Sequence, residues 1–80
     1  MNIQLIHGQF NENETLDLIT QMIHVKIKFH ESKIKTDSTE EDIKNRESRI
    51  RLLQKELFEL KKSLTTGKKI CHIESVISID

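Results

Sequence analysis

Between residues 12 and 35 the apolar positions recur every three or four residues. At about 100° per residue, Leu16, Ile19, Ile23, Ile27, His30 and Ile34 fall within about 80° of one another. Leu18, Met22, Val25 and Phe29 form a second stripe, nearly opposite. The stretch "VKIKFH", residues 25–30, alternates like a half-buried strand. It is better explained as the place where the two stripes interleave, because the 3-4 spacing continues on both sides of it. The pattern therefore predicts one helix over 12–35 that is covered from two sides. Asn11, with Glu14 three residues on, supplies a start signal related to the capping box.

A second helix is predicted over 39–64. "STEE" at 38–41 reads as a capping box, with Ser38 as N-cap and Glu41 at N3. Ile43, Arg46, Ile50, Leu53, Leu57, Leu60 and Leu64 then repeat at 3-4 spacing, a coiled-coil-like seam with one charged position. Gly67 stands just beyond, where a helix stop is expected. Leu52 and Phe58 lie off the seam and are free to meet solvent or a partner.

The two ends alternate with period two. In residues 70–79, Cys71, Ile73, Ser75, Ile77 and Ile79 share one face, and His72, Glu74 and Ser78 the other. Residues 2–10 alternate more weakly, with a bulge expected near Ile6–Gly8. The link between the helices, about residues 36–38, is short, so the helices must be antiparallel. The expected fold is α+β, a β-α-α-β chain in which a long antiparallel helical hairpin carries two terminal strands paired antiparallel. One domain over 1–80 is expected. One stripe of the first helix should meet the second helix, and the other should cover the sheet or a partner.

Composition narrows the function. An 80-residue chain buries only about 60% of its unfolded surface, which leaves a monomer marginal. Three Phe and no Trp or Tyr cannot line a large ligand pocket. With no Pro and two Gly, most of the chain should be regular structure. The 13 basic and 13 acidic residues cancel, which removes any general attraction to nucleic acid or anionic membranes. Locally the charge is blocked as −3 (1–24), +3 (25–35), −3 (36–47), +5 (48–69) and −2 (70–80), which sums to zero. Each helix is thus acidic at its start and basic at its end, as its dipole favours. A lone cysteine, Cys71, fits a reducing compartment. No segment has the length of a signal peptide or a membrane span, so a cytoplasmic protein with no membrane partner is expected.

Candidate chemistry is sparse. His24 and His30 are six residues apart, which does not place two ligands on one helical face. His30, on an apolar stripe, is expected to be a hydrogen-bonded core or interface histidine, and His24 a solvated one. His72 and Glu74 share a strand face, and His7 could lie across from them; this is the best metal or acid-base constellation in the chain, but its spacing is not a specific metal motif, so no metal or catalytic site is expected. Cys71 points with Ile73 and is expected to be a buried thiol. "TTGKK", 65–69, echoes a phosphate loop but lacks its first glycine and its strand-to-helix context. No cofactor is expected.

These features point to a non-enzymatic interaction or structural module that works as a homo-oligomer, a homodimer above all, with room for a further protein partner. A two-stranded sheet rarely stands alone, strand edges invite pairing, and the first helix has a spare apolar face. The expected interface is Leu18, Met22, Val25 and Phe29 with Ile73 and Ile77. The alternative is a small nucleic-acid-associated regulator that uses the basic turns around Lys61, Lys62, Lys68 and Lys69. Against it stand Glu47, Glu56 and Glu59 on the same helix and the lack of stacking aromatics.

Overall fold

In the computed structural model, residues 1–35 and 37–80 are described. Thr36, inside the expected link at 36–38, lies outside the described residues. The element order is β1 (Asn2–Asn11), α1 (Glu12–Ser32), α2 (Glu40–Ser63) and β2 (Ile70–Ser78). Residues 25–30 are helical, as the interleaved stripes require.

The helix ends follow side-chain chemistry. Asn11 and Glu14 make a reciprocal capping box: the Asn11 side chain accepts from the Glu14 N–H at 2.8 Å, and the Glu14 carboxylate accepts from the Asn11 N–H at 3.1 Å. Helix α1 ends at Ser32, three residues before the expected limit, where Lys33 and Ile34 donate back to His30 and Glu31 and tighten the last turn. The expected Ser38 cap is corrected. Thr39 is the N-cap and accepts from the Asp42 N–H at 3.1 Å. Ser38 is engaged one step earlier, where its hydroxyl accepts from the Lys35 N–H at 2.9 Å and closes the turn.

The strands pair antiparallel, from Asn2 opposite Ser78 to Asn11 opposite Ile70. Reciprocal bonds between Met1 and Ile79, at 2.8 and 2.7 Å, extend the ladder to both chain ends. The register shifts between Gln4 and Ile6, so the bulge lies earlier than the expected Ile6–Gly8. Its cause is the adjacent pair Leu5–Ile6, which breaks the period of two. The extra residue puts Ile3 and Ile6 on one face, together with Phe10, Cys71, Ile73 and Ile77. Gln4, His7, Gln9, His72 and Glu74 occupy the other.

The helices meet along the predicted seam. Leu57 is the one buried apolar residue among those described, at 8% exposure, and Leu16, Ile23, Ile27, Ile50 and Leu53 are half-buried. His30 of α1 bonds Arg46 of α2 across the seam. Among the described residues the charge blocks form no ion pair across the hairpin. The salt bridge among the described residues joins Lys44 to Glu40 within α2 at 3.5 Å.

The relation of ribbon to hairpin departs from expectation. Among the described residues the backbone of the ribbon approaches α1 and not α2, so it does not cover the second stripe along its length. A helix of 24 residues is about 36 Å long, and nine residues of strand are about 30 Å long. The backbone nevertheless spans only 47 × 34 × 13 Å, so the ribbon is inclined to the hairpin and all four elements lie in one sheet-like layer. The radius of gyration is 15.4 Å, against about 12 Å for a compact chain of this length. Sequence periodicity says which faces are apolar, and it does not say which element covers them.

Candidate functional site

Two features of this layer can carry function. One is the uncovered apolar surface, and the other is a cluster on the polar face of the ribbon.

The expected interface residues divide by position. On α1, Leu18 and Met22 are half-buried near the ribbon end, while Val25 is 69% and Phe29 53% exposed. On β2, Ile73 is half-buried opposite Gly8 and Ile77 is exposed opposite Ile3. The Phe29 ring is edge-on to His30 and lies under the Lys33 ammonium and Arg46 guanidinium at 5.5 and 5.8 Å. Both cations lie over the ring, as its quadrupole favours, and about half of the residue stays exposed.

A shallow groove of about 230 Å³ runs along the helical hairpin, lined by Lys26, His30, Arg49, Leu52, Leu53 and Glu56. It places Leu52 on the same side as the Phe29 stripe. Helical phase puts Phe58, under the Lys62 ammonium, on the opposite side. His30 is buried at the floor of this groove. Arginine can only donate, so the 3.0 Å contact from Arg46 Nη1 makes His30 Nδ1 the acceptor and leaves the proton on Nε2. That Nε2–H is buried without a partner among the described residues. Loss of solvent, then the charges of Arg46, Arg49 and Lys26, hold the His30 pKa below its ordinary value.

On the polar ribbon face, His7 stands opposite Glu74, and His72 is two residues from Glu74 on the same strand. The His7 and His72 rings are edge to face with centroids 5.5 Å apart. One ligating atom from each of His7, His72 and Glu74 lies within 4.8 Å of the others. Alternation put His72 and Glu74 on one face with His7 across from them, and the ladder register pairs His7 with Glu74.

Glu12 was not legible as a key residue. At the first turn of α1 it is buried, and its carboxylate accepts from Thr66 Oγ1 at 3.0 Å and from the Gly67 N–H. "TTGKK" thus serves as the clasp between the end of the hairpin and the start of α1. Gly67 has φ +72°, which lets its N–H turn toward the carboxylate. Cys71 is half-buried and unpaired on the apolar ribbon face. No helix among the described residues is long and apolar enough to cross a membrane.

No family model, no curated protein and no solved structure matches this chain.

Proposed function

We propose that this chain is a non-enzymatic interaction module that acts as a homodimer. The observation that carries the reading is that the chain makes one layer, 13 Å thick through its backbone, with a single buried apolar residue among those described, Leu57. Stable domains are built from at least two packed layers. A second copy, related by a two-fold axis, supplies the missing layer with the same apolar surface.

The areas agree. The accessible surface is 6456 Å², whereas a compact monomer of this mass exposes about 5,000 Å². The excess of about 1,400 Å² per chain, or about 2,800 Å² per pair, falls in the range of obligate homodimers, about 2,000–5,000 Å². The interface is assigned to Leu18, Met22, Val25 and Phe29 with Ile73 and Ile77, joined by Leu52. The unpaired cysteine supports a cytoplasmic, reducing location. Sedimentation equilibrium at micromolar concentration is expected to give twice the 9.4 kDa chain mass. A monomer that stays folded at high concentration overturns the reading.

A second reading, a nucleic-acid-associated regulator, draws on a cleft of about 440 Å³ at the helix turn, where Lys33, Lys35, Arg46 and Arg49 face one acid, Asp42. This cleft is at the opposite end of the hairpin from Lys61, Lys62, Lys68 and Lys69. Its test is RNA or DNA binding that weakens steeply with salt.

A further inference from the structure

We infer that the polar face of the ribbon binds one zinc ion through His7, His72 and Glu74. Three facts carry this. The ligating atoms come from two strands and lie within 4.8 Å of one another. All three side chains are exposed, so an ion can reach them and their rotamers are free to adjust. Among the described residues no hydrogen bond or ion pair joins the three, although His7 and Glu74 are direct cross-strand neighbours. Their lone pairs therefore remain available.

The fit is a short closure. Zinc holds nitrogen and oxygen ligands at about 2.0–2.2 Å, so tetrahedral ligand atoms stand about 3.3 Å apart. Contraction from 4.8 Å needs about 1.5 Å, within the reach of a side-chain rotation on exposed imidazole and carboxylate groups. Two imidazoles with one carboxylate suit zinc and oppose magnesium, which prefers oxygen ligands and octahedral geometry. Three protein ligands leave the fourth position open to water or to an incoming group. The cross-strand bridge would also lock β1 to β2 at mid-ladder. Nothing in this site requires a second copy of the chain.

The test uses the full chain, stripped with chelator and titrated with Zn²⁺ alone against a chromophoric competitor. One ion per chain is expected. Co²⁺ in its place should give the intense visible bands of a four-coordinate site. His7→Ala, His72→Ala and Glu74→Gln should each weaken binding at least tenfold, an effect about as large as that of losing a supporting group in known sites. Circular dichroism should be unchanged in these surface variants. Excess Mg²⁺ should not compete. Zn²⁺ should raise the thermal midpoint of the wild type and leave that of His7→Ala unmoved. Absence of stoichiometric zinc, or equal binding in the His7→Ala/His72→Ala double variant, overturns the site.

Discussion

Truncating Phe29 to alanine tests the missing-layer account most directly. Phe29 is 53% exposed in the single chain. A phenylalanine side chain presents about 150–250 Å², so about 100 Å² of it remains for a partner. At about 25 cal/mol per Å² that area is worth about 2.5 kcal/mol. A two-fold dimer buries it twice, which makes about 5 kcal/mol. Dimerisation should weaken by about three decades or more, at about 1.4 kcal/mol per decade. The assay is sedimentation equilibrium over a range of concentrations, with circular dichroism on the same samples. If folding requires assembly, helicity should fall at low concentration and return as concentration rises. A Phe29→Ala chain that keeps wild-type mass and helicity at every concentration would show that the ring faces water and that the dimer axis lies elsewhere.

Three further outcomes are expected. His30 is held below its ordinary pKa by desolvation and then by Arg46, Arg49 and Lys26, so the unfolded chain gains a proton first; stability should be full above about pH 6.5 and fall as acid is added below it, and His30→Gln should flatten that slope in urea midpoints. Glu12→Ala should cost about 1–3 kcal/mol in urea unfolding, because it removes both bonds of the clasp and leaves the Gly67 N–H unsatisfied. Gly67→Ala should cost about 1–2 kcal/mol through backbone strain alone, since φ is +72° and a Cβ there meets nothing within 4 Å; an unchanged denaturation midpoint would show that the turn relaxes freely.

Much of this fold was legible because its signals are local. The 3-4 spacing of Leu16 to Ile34 and of Ile43 to Leu64 marked both helices, and the Asn11–Glu14 box marked a boundary. Period-two alternation at the ends, with a short helical link, implied the antiparallel ribbon. What escaped depends on distant geometry. Ser38 and Thr39 are both good caps, and only the closing of the turn on Lys35 decides between them. The Glu12 clasp joins positions 54 and 55 residues apart that share no pattern. The inclination of ribbon to hairpin has no trace in periodicity.

The ladder that joins the first strand to the last also sets an order of assembly. Even its nearest rung, Asn11 with Ile70, closes a segment of 59 residues (70 − 11). Formation of the helical hairpin first shortens the effective loop to the six residues between Ser63 and Ile70. By the logarithmic cost of loop closure this lowers the entropic barrier by about 2 kcal/mol, so strand pairing should follow the hairpin in refolding. On the ribosome, at about 5–20 residues per second, β1 waits about 3–12 seconds for its mate. Through that interval its apolar Ile3, Leu5, Ile6 and Phe10 form a bare edge. Chains truncated before Ile70 would keep that edge permanently, and they are the species that should aggregate first.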